Sequence, residues 1–325
     1  MTTTATPEVL FEHESEPPSS RRRLRSPRFG LAIPSWVWYL GFFVVPTMVI
    51  VWYSFGYKPP VNSGRGAIAT DKLSLQNYRD ALSDTFFKTF QNTFRVAVVG
   101  TALCLFIGFP VAYFIAVKVA PKWRGLMLGL VIVPFWTSFL IRTIAWRIVL
   151  APEGFFSHWL QTVGLRHSPI RFLDTREAVQ LGVVYNYLPL MIFPLFVALD
   201  RLDGALREAS KDLGANRFRT FMQVTLPLAM PGIIAGLLLV FIPLAGDYIT
   251  ASVLGGAKGN MAGALVATQF LAAQNWALGS AMAILLIFVI LGTIAVAAIV
   301  ALAVRTIMRR FRSIDVDVAP VGAAA

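Results

Sequence analysis

Residues Glu208–Pro231 read EASKDLGANRFRTFMQVTLPLAMP. The segment carries Glu208, Lys211, Asp212, Arg217 and Arg219, yet it lies between two long apolar runs, Val179–Leu199 and Gly232–Leu254. A polar island so placed reads as the connection between two segments that cross a bilayer. Composition agrees. The chain of 325 residues is 56% hydrophobic and 14% charged, with a mean hydropathy of +0.65. A soluble domain carries about a quarter charged residues.

Working outward, six apolar runs reach the length of about 20 helical residues that a bilayer requires. They are Ile33–Phe55, Thr93–Val117, Leu126–Leu150, Val179–Leu199, Gly232–Leu254 and Gly279–Val304. Barrel strands would be about 10 residues long with alternating polarity. The expected fold is therefore all-α, a polytopic membrane bundle of six transmembrane helices. An even number of spans puts both ends on one side, and lysine and arginine choose the side. Arg21, Arg22, Arg23, Arg25 and Arg28 precede the first span, and Lys118, Lys122 and Arg124 follow the second. Arg201, Arg207, Lys211, Arg217 and Arg219 lie between the fourth and fifth, and Arg305, Arg309, Arg310 and Arg312 end the sixth. Both termini and the Glu208–Pro231 loop are thus expected to be cytoplasmic. The net charge of +12 is mostly this topological signal, and nucleic acid is not an expected partner.

The expected domains are a disordered basic cytoplasmic tail over residues 1–32, a membrane domain over 33–305 and a cytoplasmic C-terminal tail over 306–325. Ser20-Arg21-Arg22-Arg23-Leu24 faintly resembles a twin-arginine signal. The apolar run after it exceeds a signal-peptide core and lacks a small-residue cleavage site. Trp36, Trp38, Tyr39, Trp52 and Tyr53 bracket that run as an aromatic belt brackets a retained span.

The order Glu208-Ala209, then Gly214, then Val224-Thr225-Leu226-Pro227 resembles the cytoplasmic loop signature of ABC-importer permeases. Ser210 and Val224 stand where that signature has alanine and isoleucine. Four further blocks resemble the spermidine/putrescine-type permeases of this group. They are Pro134-Phe135-Trp136-Thr137-Ser138 with Arg142-Thr143 and Ala145-Trp146; Val184-Tyr185-Asn186-Tyr187-Leu188-Pro189; Phe241 to Tyr248; and Leu254-Gly255-Gly256 with Met261, Gln269-Phe270 and Asn275-Trp276. Ala262 and Ala264 depart from the isoleucine and asparagine usual there. Permeases for other organic cations, opines or small acids share much of this pattern.

The resemblance implies a subunit of a bacterial plasma-membrane (inner-membrane) importer that is not itself an enzyme. Residues 200–231 would hold a cytoplasmic coupling helix that docks on an ATPase subunit, with Glu208, Ala209, Gly214, Leu226 and Pro227 as its signature positions. A second permease subunit, ABC ATPase subunits and an extracytoplasmic solute-binding protein would complete the assembly. No cofactor is expected on this chain. It contains no G-x-x-x-x-G-K-[ST] loop, so ATP and Mg would be bound by the partner ATPase. Cys104 is the single cysteine, and His13, His158 and His167 lack ligand spacing, so no metal site is expected.

Two other classes remain open at this point. A membrane enzyme would need an intramembrane acid/base or metal cluster, and a stand-alone channel or secondary transporter would favour inverted repeats. Neither is visible in the sequence. Candidate substrate-pathway residues are the aromatic and amide groups Trp136, Tyr185, Asn186, Tyr187 and Tyr248, since aromatic faces attract a desolvated organic cation. The charges Asp247 and Arg142 join them because an ionised group inside a span normally faces a partner or a wet cavity. On continuous helices both would lie about 22–24 Å from the cytoplasmic end at 1.5 Å per residue. They would either form an ion pair or leave Asp247 to meet an incoming ammonium group. Pro46, Pro110, Pro134, Pro189, Pro194 and Pro243 also fall inside the expected spans, where each removes a backbone donor.

Overall fold

A computed structural model describes residues 32–60, 68–164 and 171–312. The expectations for the basic N-terminal tail, its arginine cluster and the last residues of the C-terminal tail lie outside this range. The described residues divide into two compact units, one up to Met48 and one from Val49 onward.

In the first unit, helix α1 (Ile33–Tyr39) runs through a π-helical turn (Leu40–Val44) into α2 (Val45–Ser54), which extends into the second unit. The wide turn sits just ahead of Pro46. A proline ring clashes with the carbonyl four residues back, and one extra residue in the turn moves that carbonyl away. Trp38 stacks on Phe42 and Tyr39 on Phe43, with ring centroids 4.2 and 5.1 Å apart.

The second unit is built around α8 (Arg176–Asp200), which starts at the side-chain cap of Thr175. Its inward residues Val183, Tyr187, Met191 and Leu195 are buried between α4 (Asp84–Tyr113) and α11 (Leu226–Ala245). Small residues set the spacing. A Cβ on Gly232 of α11 would strike Ala198 and the Pro194 carbonyl of α8, and one on Gly236 would strike Met191. Pro189 and Pro194 lie inside α8 without ending it. The remaining elements are short helices α3 (Gln76–Ala81), α7 (Phe155–Thr162), α9 (Gly204–Asp212) and α10 (Arg217–Thr220), and α12 (Ile249–Leu254), α13 (Ala262–Leu271) and α14 (Trp276–Arg312). α13 packs along α14. Among the described residues there is no β-structure beyond one isolated bridge, Tyr57 to Ala69.

The bundle is all-helical as expected, and two of the expected spans are not single helices. Over Leu126–Leu150, α5 (Pro121–Ile132) tightens into a 3₁₀ turn (Val133–Trp136) and gives way to α6 (Phe139–Val149) at a bend of 85°. Pro134 offers no donor, and Thr137 is extended at φ −90°, ψ 150°. Over Gly232–Leu254, α11 stops at Gly246 and α12 restarts after Tyr248. Among the described residues five helices are long and apolar enough to cross a membrane, six if the bent pair counts as one span. α14 continues through Arg312, past the boundary at 305 expected for the membrane domain.

Replacing Gly232 by Ala forces the α8–α11 crossing apart, an overpacking cost of about 1–3 kcal/mol. The expected outcome is a lowered melting temperature of the purified protein in detergent. Gly292→Ala is the control, since nothing lies within 4 Å of its added Cβ, and it is expected to leave the melting temperature unchanged.

Candidate functional site

Two regions gather the residues singled out by the sequence. The first is the polar corner between α8 and α11. Asp203 caps α9 by accepting a hydrogen bond from the Ala205 amide at 2.9 Å, and Asn216 caps α10 by accepting from Arg219 at 2.8 Å. Between the two helices Gly214 takes φ +81°, the left-handed region where a Cβ is unfavourable. Nothing crowds that position, so the need for glycine there is conformational. The Ser210 hydroxyl lies 3.1 Å from that of Thr220 and links α9 to α10. Another π-helical turn (Phe221–Thr225) leads into α11, with Pro227 at the start of α11 as Pro46 follows the turn at Leu40–Val44.

No residue of α9 is buried. Glu208 and Ala209 are exposed, Leu226 is half-buried and Pro227 exposed. Leu213 and Phe218 are 89% and 69% exposed, with Leu206 and Met222 also bare. Large apolar side chains on a charged corner mark a surface made to be covered.

The second region surrounds the break between α11 and α12. Asp247 is buried there, and one carboxylate oxygen accepts the Thr250 amide at 3.0 Å, which starts α12. Its other oxygen is buried with no hydrogen-bond partner. Tyr187 of α8 donates its hydroxyl to the Pro243 carbonyl at 3.4 Å and lies close to the Asp247 carboxylate. Beside it Asn186 is buried and donates to Thr143 of α6 at 3.1 Å. The first turn of α13 closes the floor. A Cβ on Gly263 would meet the Gly246 carbonyl, while the Ala262 amide donates to Thr93 of α4 at 2.7 Å. Ala262 and Ala264, the two departures from the family pattern, are buried on either side of Gly263 in that turn.

Arg142 is also buried, with its guanidinium 4.8 Å from the Phe135 ring centroid and 5.6 Å from that of Phe139. Two of its nitrogens are buried without a hydrogen-bond partner. No ion pair joins Arg142 to Asp247 among the described residues; the ion pair found there is Arg124 to Asp200, which ties α5 to the end of α8. The two charges do not sit on continuous spans, as equal depth required. Asp247 occupies a helix break, and Arg142 follows the 85° bend.

The structure thus brings Arg142, Asn186, Tyr187 and Asp247 together around α8. It does not bring Trp136, which is 82% exposed, and Tyr248 stands half exposed beside the break. Tyr185 stands near Arg142 and also lines a groove of about 470 Å³ between α4, α6 and α8. There it meets Trp146 edge to face at 5.3 Å. Trp146, Gln180 and Glu177 of this groove, and the polar partners Thr143 and Thr250, were not among the sequence candidates. The spacing of Glu177, Leu181, Val184 and Leu188 on one helical stripe was the available signal.

Asp247→Ala removes the amide acceptor that starts α12, whereas Asp247→Asn keeps an oxygen in place. The alanine variant is expected to lose about 0.5–2 kcal/mol, typical of a lost cap, and the asparagine variant less. Thermal unfolding of both variants in detergent checks the order.

The family model for the binding-protein-dependent transport system inner membrane component matches residues 108–313. The chain is similar to the spermidine/putrescine transport system permease protein PotB of Haemophilus influenzae, with 39% identity over 247 residues, 76% of this chain and 84% of that protein. It is 37% identical over 252 residues to the Escherichia coli (strain K12) protein of the same name, covering 78% of this chain and 90% of the relative. Its fold resembles a chain of a bacterial ABC transporter involved in import of the acidic polysaccharide alginate, at TM-score 0.65 and 17% identity over 87% of this chain and 94% of that one. A second structure of a bacterial alginate ABC transporter, in complex with alginate pentasaccharide-bound periplasmic protein, matches at TM-score 0.61 and 18% identity, covering 83% and 91%.

Proposed function

The chain belongs to the family of binding-protein-dependent transport system inner membrane components, and on that premise we propose that it is the permease subunit through which an ABC importer moves spermidine, putrescine or a closely related polyamine. The observation that carries the polyamine reading is the 39% identity to a spermidine/putrescine permease over three quarters of the chain.

In this reading both termini and the α9–α10 corner face the cytoplasm of a bacterial inner membrane. The exposed Leu206, Leu213 and Phe218 seat the corner in an ATPase subunit, which binds the ATP and Mg that this chain does not. A second permease subunit pairs with this one, and a solute-binding protein delivers substrate from outside. ATP binding closes the ATPase dimer and moves the two docked corners. Because α10 runs directly through the π turn into α11, a displacement at the corner is transmitted to the α8–α11 pair. The break at Asp247 and the bend before Arg142 are where the bundle yields, since fewer helical hydrogen bonds resist there. Asp247, Tyr187 and Asn186 are polar groups at that yielding point. A carboxylate oxygen without a protein partner suits an ammonium group passing it.

Uptake of radiolabelled spermidine by cells carrying the whole transport system, challenged with competing amines and with organic acids, tests the substrate. Competition by putrescine and not by acids is expected, and the reverse order would overturn the polyamine reading. Coupling is tested at Gly214. Gly214→Val places a β-branched residue at φ +81° and is expected to abolish uptake while the protein still reaches the membrane. Gly214→Asn, which tolerates the left-handed region, is expected to keep most of it. Equal uptake by the two variants, with matched membrane levels, would contradict the conformational role.

A further inference from the structure

We infer that the turn between α12 and α13 is a clamp that holds the outer ends of α4, α6, α8 and α12 together throughout transport, so that the pathway opens beside this group and not between its members. The inference rests on the importer reading above, which places the start of α8 and the end of α12 at the outer side of the membrane.

The last carbonyls of a helix have no partner within it, and at the end of α12 other elements take two of them. Arg147 of α6 donates to the Val253 carbonyl at 3.0 Å. The Asp174 amide, just ahead of α8, donates to the Leu254 carbonyl, also at 3.0 Å. The turn then folds back on itself, with the Gly259 amide donating to the Gly255 carbonyl at 2.6 Å. Beyond it the Asn260 carbonyl accepts from Asn92 of α4, and the Ala262 amide donates to Thr93, both at 2.7 Å. The stretch from Val253 to Ala262 thus binds α6, α8 and α4 in turn.

Packing closes the same seam. A Cβ on Gly256 would lie 2.6 Å from that of Asp174, and one on Gly259 would lie 2.8 Å from Val179. One on Gly182 would lie 2.5 Å from Leu254 and 2.9 Å from Thr250. Where not even a methyl group fits, no substrate passes. Val179, Gly182 and Asn186 share one stripe of α8 by helical spacing, and Asn186 at its end donates to Thr143 of α6. Asp174 at φ +60° meets Gly256 at φ +48°, both in the left-handed region. A residue other than glycine persists there only where its surroundings over-determine it. With its far end held in this way, the short α12 follows α6 and the first half of α8 when the break at Asp247 yields.

A small pocket of about 470 Å³ marks where these ends meet. Pro152 follows α6, Arg171 precedes α8, Ala257 and Lys258 follow α12, and all four line it. None of the four supplies a hydrogen bond or close contact of the clamp. The test uses the complete importer in proteoliposomes, with Cys104→Ala as background. Arg171→Cys is paired with Lys258→Cys, and Pro152→Cys with Ala257→Cys. Each pair is bridged by a short bis-methanethiosulfonate that dithiothreitol removes. Both bridges are expected to form and to leave ATP-driven spermidine uptake at the level of the unbridged protein. Amide hydrogen exchange over residues 173–175 and 254–262 is expected to be equally slow in the ATP-free and the vanadate-trapped importer. Gly256→Ala, whose methyl strikes Asp174, is expected to speed that exchange and cut uptake, and adding Asp174→Gly to reverse both. Failure of the wild-type importer to move spermidine with ATP would sink the functional reading itself. If it does move spermidine, the clamp is overturned by bridges that fail to form, or by uptake lost on bridging and regained on reduction. Exchange that differs between the two states, or Gly256→Ala leaving exchange and uptake unchanged, overturns it equally.

Discussion

In a chain this apolar, every backbone N–H and C=O must find its partner inside the protein, since lipid offers none. That constraint makes helices wherever the chain crosses the bilayer, and it makes each interruption of a helix conspicuous. Both interruptions here are answered by α8 and its neighbours. At the first, Asn186 of α8 donates to Thr143 just beyond the bend. At the second, Asp247 accepts the Thr250 amide and Tyr187 reaches the Pro243 carbonyl. The central helix is thus both the core of the bundle and the element that makes its two weak points tolerable.

The same arrangement links packing to movement. Glycines at 232 and 236 bring α11 hard against α8, so the two helices shift together. The broken elements α6 and α12 pack on each other at the far end of the pair. Arg147, donating to the Val253 carbonyl, is one of their direct ties. Rigid packing at one end and broken helices at the other is what a bundle needs to open on one side while held on the other. The unpartnered atoms of Arg142, Asn186 and Asp247 sit at the broken end, where a second conformation or a passing ligand has something to satisfy.

Much of this was legible in the sequence. Hydropathy marked the spans, and the spacing from Glu208 through Gly214 to Pro227 located the corner whose glycine does take a positive φ. The helix breaks were not legible as breaks, because apolar runs look alike whether straight or bent by 85°. Pro134 and Pro243 marked the neighbourhoods, yet Pro189 and Pro194 sit in an unbroken helix, so proline alone does not locate a break. Trp136 was expected among the pathway residues by residue type, and it stands exposed on the 3₁₀ turn before the bend, apart from the buried group around α8. Glu177 lies two residues outside the expected span Val179–Leu199 and was not among the candidates. Its stripe with Leu181, Val184 and Leu188 was legible in α8, whereas the α4 and α6 walls that complete the groove were not.

The proposed function requires that this bundle move its substrate only when an ATPase drives its cytoplasmic corner. Accumulation of labelled spermidine inside proteoliposomes holding the complete importer, with liganded binding protein outside and ATP inside, measures this most directly. The internal concentration is expected to rise above the external one with ATP, with no entry without it. Equilibration in the absence of ATP, stopping at the external concentration, would contradict it and describe a channel instead.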